Sequence, residues 1–188
     1  MLNSQRFPLQ LFLVLEKLNV IFWNSKCLTK NAYVCLVDNN WFYAINLILR
    51  NELLINNSFL VENTAIDTKY FNNFNNKLNH FFGNKTILMY SYYIISQKCK
   101  LSFLVNSKTN SFVSIDKLYL SATWLERETS EMYGILYYNK TDIRKLLLDY
   151  SKLEHPLLKD FACEGYQDSF YNFFENQVTI NKSEIVEL

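Results

Sequence analysis

Glycine and proline are nearly missing from this chain, with 3 and 2 occurrences in 188 residues, far below globular usage. The glycine-rich phosphate and dinucleotide loops have no counterpart here, nor do the GxSxG nucleophile elbow and the HExxH zinc motif. Turns must therefore be built from asparagine, which also tolerates turn and left-handed conformations. A charge excess is missing as well. Lys+Arg 19 against Asp+Glu 18 leaves a formal net charge of +1, which gives no long-range field to collect nucleic acid or an anionic membrane. The four cysteines, Cys27, Cys35, Cys99 and Cys163, form no CxxC pair, and His80 and His155 are the only histidines. No zinc or iron–sulfur spacing can be assembled from such neighbours, so buried reduced thiols in a reducing compartment are expected. Long apolar runs are absent too. Leu11 to Leu15 is cut short by Glu16 and Lys17, well under the roughly 20 residues a spanning helix needs, and no small-residue cleavage site follows it.

What is present is a hydrophobic fraction of 49% with 20% charged residues, enough for one domain with its own core. Asn, Lys, Phe, Tyr, Leu and Ile dominate. These are residues of AT-rich codons, so an organellar or parasite-like genome explains the bias; the alternative is a chain that simply evolved polar, Asn-rich loops.

Three segments are expected: 1–30 as an N-terminal helical extension, 31–150 as an α+β domain, and 151–188 as an extended arm and tail. Leu11, Leu15, Leu18 and Phe22 recur at helical spacing after Pro8, predicting a helix to Trp23. Ala32 to Val37 reads as a strand, and Asp38-Asn39-Asn40 as a turn and N-cap. A helix follows with Trp41, Ile45, Ile48 and Leu49 on one face. Phe59 to Val61 is a short strand and Asn63 to Asn79 a loop. Thr86 to Ile95, Lys100 to Val105 and Phe112 to Ile115 read as strands of an antiparallel meander, since their connections are too short for crossover helices. The fold class is α+β: a single domain with N-terminal helices, a mostly antiparallel sheet, a capped helix and an extended C-terminal arm.

The densest chemistry lies between Ser121 and Tyr166. Thr123 and Glu126 have capping-box spacing, Ser121 is a competing N-cap, and Gly134 is placed to end the helix. Trp124, Glu128 and Glu131 fall on one face of this helix, and Leu125 and Met132 on the next. Arg127 stands four before Glu131, suited to an ion pair. A second helix is expected from Asn139 or Thr141, with Ile143, Leu146, Leu147 and Tyr150 as its apolar face. Beyond it Pro156 disfavours helix at His155. The tail from Gln177 is too polar to bury itself and is either frayed or laid on a partner.

Over these residues the sequence resembles the thirty-kilodalton subunit of respiratory complex I, also called the NADH dehydrogenase subunit 9 family. The family pattern runs Trp, one residue, Glu-Arg-Glu, two residues, an acid, Met, an aromatic, Gly and Ile. Here it stands as Trp124, Glu126-Arg127-Glu128, Glu131, Met132, Tyr133, Gly134 and Ile135. It continues through Asn139, Asp142-Ile143-Arg144-Lys145-Leu146-Leu147 and Asp149-Tyr150, then His155-Pro156-Leu157, Lys159-Asp160-Phe161 and Gly165-Tyr166. Glu154, Leu158, Ala162 and Lys140 depart from the family's Gly, Arg, Pro and His. The strong motif covers about a quarter of the chain.

The resemblance implies a non-redox assembly subunit of the peripheral arm, on the matrix side of the mitochondrial inner membrane. It would hold the quinone-site subunit, which is related to the hydrogenase large subunit, to neighbouring iron–sulfur subunits. No catalytic, cofactor-binding or metal-binding residue is expected; flavin mononucleotide and the iron–sulfur clusters belong to other subunits. Interface roles are expected for Trp124, Glu128, Glu131, Arg144, His155, Lys159 and Asp160, with Met132, Ile143, Leu146 and Leu147 as core. A subunit of a related membrane-bound hydrogenase is the alternative of the same fold. A free-standing hydrolase is the alternative of another class. It would need two of Glu126, Glu128 and Glu131 in one cleft as general acid and base, and Glu126 and Glu128 point in different directions on a helix. His155 as a proton carrier weighs against a positioned hydrogen-bonding histidine, which is the favoured reading.

Overall fold

The computed structural model describes residues 21–23, 32–51, 58–69, 86–95, 98–107, 109–150, 153–163 and 165–183. Most of the expected N-terminal helix and the loop around Asn79 lie outside them. The described elements run β1 (Ile21–Trp23), β2 (Ala32–Asp38), α1 (Asn39–Asn51), β3 (Ser58–Asp67), β4 (Thr86–Ile94), β5 (Cys99–Asn106), β6 (Ser111–Val113), α2 (Ala122–Tyr133), β7 (Leu136–Tyr138), β8 (Gln167–Asn172) and β9 (Gln177–Lys182). The α+β expectation holds. Trp23, expected to end a helix, sits in a strand paired antiparallel with β2.

Five strands form one sheet in the order β1-β2-β5-β4-β3. β2 and β5 run parallel, while the other pairs are antiparallel. The β-branched and aromatic runs explain the strands, and their alternation explains the core. Leu88, Tyr90, Tyr92 and Ile94 take alternate positions on β4 and pack with Leu101, Phe103 and Val105 of β5. Phe42, Ile45 and Leu49 bring α1 onto this surface, with Tyr90 at 4.6 Å from Phe42 between ring centroids. Each such fully buried side chain contributes about 1.5–3 kcal/mol. The buried stripe of α1 passes through Phe42 and Asn46 rather than Trp41, which is half exposed. Asn46 is admitted because its amide donates to the Phe42 carbonyl at 2.8 Å and its oxygen accepts from the Tyr92 hydroxyl at 2.5 Å.

The expected third meander strand does not join the sheet. β6 pairs in parallel with β7, and α2 is the crossover between them. Phe112 is thereby buried in the core while β6 sits against the start of α1, where the Asn39 amide donates to the Ser111 carbonyl at 3.1 Å. The expected helix over 139–150 is not formed; the described residues of this part of the chain, 139–150 and 153–163, carry neither helix nor strand, and the β8–β9 hairpin comes after them.

Candidate functional site

Helix α2 organises much of the chain from Lys140 to Leu157. Its C-terminus is as expected. Gly134 has φ +66 and its N–H donates to the Ser130 carbonyl at 2.9 Å. A second constraint adds to the backbone one, since a Cβ at Gly134 would lie 2.8 Å from the His155 ring. The N-terminus differs. The helix begins at Ala122, so Thr123 lies inside it, and Ser121 makes no side-chain cap; its hydroxyl donates to the Leu60 carbonyl of β3 at 3.3 Å instead.

Glu126, expected in a capping box, is fully buried. Its carboxylate accepts from the Ser114 hydroxyl at 2.5 Å, the Ile115 N–H at 2.9 Å and the Tyr90 hydroxyl at 3.4 Å. Lys140 completes the shell with an ion pair at 3.0 Å, and both side chains are essentially withdrawn from water. Burial pushes the Glu126 carboxyl above its ordinary value, against the Ile115, Ser114 and Lys140 donors, which favour the ionised form. Beside it Asp116 accepts from the N–H and hydroxyl of Thr141 at 3.1 and 2.8 Å. The stretch Asn139 to Thr141 is thus bolted to the turn ahead of α2, which diverts it from starting a helix.

One turn apart on α2, Arg127 and Glu131 take hold of the backbone that follows. Arg127 does not pair with Glu131. Its Nε donates to the Arg144 carbonyl at 2.8 Å and its Nη2 to the Lys145 carbonyl at 3.0 Å. Its Nη1 lies 3.4 Å from the Asp142 carboxylate, and its guanidinium lies 5.1 Å from the centroid of the Trp124 ring. Glu131 accepts from three consecutive N–H groups, those of Leu146 and Leu147 at 2.9 Å and Leu148 at 2.6 Å. Burial opposes ionisation of this carboxyl, but the three N–H groups and nearby Lys145 outweigh it and hold it below the ordinary value. Asp142 is also held well below the usual range, first by the side-chain bonds from Arg144.

The residues expected as the apolar face of a helix are consequently turned the other way. Ile143 is 81% and Leu147 62% exposed, and Tyr150 is exposed, whereas Leu146 and Met132 are half-buried. Leu153 and Leu157 are exposed as well, and Leu136 and Tyr138, also exposed, lie beside Ile143. A cleft of about 400 Å³ opens between Leu136, Tyr137, Tyr138 and Ile143, with Arg127 and Lys140 in its wall.

The remaining candidate residues hold the arm in place. His155 Nδ1 meets the Glu131 carbonyl at 2.8 Å. A carbonyl only accepts, so Nδ1 carries the proton. The Leu157 N–H donates to the Met132 carbonyl at 3.2 Å. Buried Asp67, at the end of β3, accepts from the Lys159 N–H at 3.0 Å, and Asp160 pairs with Lys69 at 2.5 Å. Trp124 and Glu128 are exposed on α2, and Arg144 is exposed beside Asp142. Sequence reasoning missed Glu126, Lys140, Asp116 and Asp67 as organisers. Their spacing carries no signal, because each acts on a segment distant in the chain.

Chemically this arrangement binds backbone and presents apolar surface. Glu126 is enclosed, Glu131 is saturated with donors and Glu128 stands outside, so no two of them face one cleft as acid and base. Among the described residues no group of three or more His, Cys, Asp or Glu could hold a metal ion, and no helix is long and apolar enough to cross a membrane.

Residues 36–167 match the family model described as respiratory-chain NADH dehydrogenase, 30 Kd subunit. The chain is 35% identical to NADH-ubiquinone oxidoreductase subunit 9 of Paramecium primaurelia over 97% of its own length and 87% of that protein. Subunit 9 of Prototheca wickerhamii is 41% identical over 38% of this chain and 37% of the relative. Among solved structures, a trypsin-resistant fragment (1-134) of Nqo5 covers 71% of this chain and 98% of its own, with TM-score 0.56 and 14% identity. A chain of the membrane-bound sulfane sulfur reductase, an archaeal respiratory membrane complex, covers 81% of this chain and 83% of its own, with TM-score 0.59 and 16% identity. The chain therefore belongs to the 30 Kd subunit family of respiratory-chain NADH dehydrogenase, complex I.

Proposed function

We propose that this subunit of the peripheral arm of complex I works by docking rather than by chemistry. Its surface from Leu136 to Leu157 seats the quinone-site subunit, on the matrix side of the mitochondrial inner membrane, and keeps it in register with the neighbouring iron–sulfur subunits. The chain itself holds no flavin, cluster or metal and supplies no catalytic group.

The observation that carries this reading is the outward orientation of Ile143, Leu147, Tyr150 and Leu153 on a segment whose backbone is fixed from below by buried charges. Large apolar side chains exposed in such number along one segment mark an interaction site, and apolar side chains around a cleft take an anchor from the partner. Arg127 and Lys140 in the wall of the cleft are already engaged, one with backbone carbonyls and the other with Glu126. The anchor is therefore uncharged.

The test is the double substitution Ile143→Asp, Leu147→Asp, followed by blue-native electrophoresis of the complex. Loss of assembled complex, with unchanged turnover in whatever assembles, supports the reading. Normal assembly with lost quinone reduction overturns it.

A further inference from the structure

We propose that Arg127 and Glu131 are positioning residues, which hold 144–148 off the helical path that this segment's own sequence favours and so shape the docking surface before the partner arrives. The proposal rests on the docking reading above.

The segment has every local reason to be helical. Ile143, Leu146, Leu147 and Tyr150 follow a helical period, and Arg144, Lys145 and Leu148 between them are good helix formers. A helix here would join the Leu148 N–H to the Arg144 carbonyl. Both ends of that bond are diverted. The N–H donates to Glu131 Oε1 at 2.6 Å and the carbonyl accepts from Arg127 Nε at 2.8 Å. The next helical acceptor, the Lys145 carbonyl, accepts from Arg127 Nη2 at 3.0 Å and the Tyr150 hydroxyl at 3.2 Å. Glu131 also takes the N–H groups of Leu146 and Leu147.

All of Arg127's and Glu131's bonds to the segment are charge-assisted, a class roughly twice as strong as neutral ones. The fork of the guanidinium reaches two carbonyls at once, which a lysine ammonium does not reproduce. Since Arg127 and Glu131 are themselves buried, their effect on the partner passes through Ile143 and Leu147.

The experiment is residue-resolved amide exchange on the full chain, free of partners, for the wild type and for Glu131→Gln and Arg127→Lys, alongside incorporation of each into the complex on blue-native gels. In the wild type the Leu146, Leu147 and Leu148 amides exchange slowly without any partner. The two variants speed this exchange by about 10- to 100-fold, move the segment's chemical shifts towards helical values without protecting its amides, since so short a helix is marginal in water, and lower incorporation. The β4–β5 amides stay protected in both, which separates loop release from unfolding. Wild-type exchange at 146–148 as fast as an open loop overturns the proposal without any variant, and so does unchanged exchange in Glu131→Gln. Ile143→Asp separates the two readings. Slow loop amides with lost incorporation support both. Slow amides with normal incorporation overturn the docking reading, whatever Glu131→Gln does.

Discussion

Removing Lys140 tests how the segment 139–150 is fastened to the core. In Lys140→Met the side-chain volume is nearly kept while the ammonium that pairs with Glu126 at 3.0 Å is lost. Breaking a buried pair from one side typically costs about 3–5 kcal/mol, because a buried charge is left behind. Glu126 keeps the Ser114 hydroxyl and the Ile115 N–H, so the lower end, about 3 kcal/mol, is expected. For a chain of this size that is a fall in Tm of roughly 6–12 °C. The pH dependence gives the sign of the effect. The Glu126 carboxyl is already pushed up by burial, and losing Lys140 raises it further. A carboxyl whose folded pKa lies above its unfolded value stabilises the fold when protonated, and that contribution is lost as pH rises through the folded pKa. The penalty of Lys140→Met is therefore greatest at neutral pH and shrinks towards pH 5. Glu126→Gln in the same chain recovers most of it. Urea denaturation of the two variants and the wild type across this range is the assay. A pH-independent loss below about 1 kcal/mol would refute the argument, since that is the size expected of an exposed pair.

Three further outcomes follow from the same geometry. Gly134→Ala places a Cβ at φ +66 and 2.8 Å from the His155 ring, and is expected to lower stability by roughly 2 kcal/mol or more in urea titrations. Because Glu131 is held below its ordinary value, its contribution is complete above the usual glutamate range and is lost as pH falls through the depressed value; loop amide signals of 146–148 at successively lower pH should broaden or shift before those of β4 and β5. Burial pushes the Cys35 thiol up to about 12, so iodoacetamide at pH 8 should leave Cys35 intact in the folded chain while alkylating exposed Cys163, as read by peptide mass spectrometry.

Local signals made some of this legible before any coordinates. β2, β4 and β5 follow from runs of β-branched and aromatic residues, and Gly134 ends α2 because only a left-handed cap fits there. What was not legible depends on partners far along the chain. The helical period over 139–150 is real, but Arg127 and Glu131 compete for its backbone groups from 15 or more positions away, and Asp116 and Glu126 bind its first residues. Glu126 has capping-box spacing, yet β4 and the turn before α2 offer it a buried set of donors, and burial wins over the local cap. Phe112 was expected in the meander; a short parallel pair with β7 across α2 replaces that arrangement, and nothing in a three-residue strand encodes the choice. The parallel β2–β5 pairing likewise joins strands with two others between them in sequence. Trp124 and Glu128 stand in the open, whereas Glu131 works from inside and Ile143 and Leu147 have moved from expected core to surface.

If the docking reading holds, the surface around Ile143 faces another subunit in the assembled complex. A photo-cross-linking side chain placed at Ile143, activated in the assembled complex and mapped by mass spectrometry, tests it most directly. A link to the quinone-site subunit is the expected result. Links confined to this chain, with Ile143 open to solvent in an intact and active complex, would contradict it.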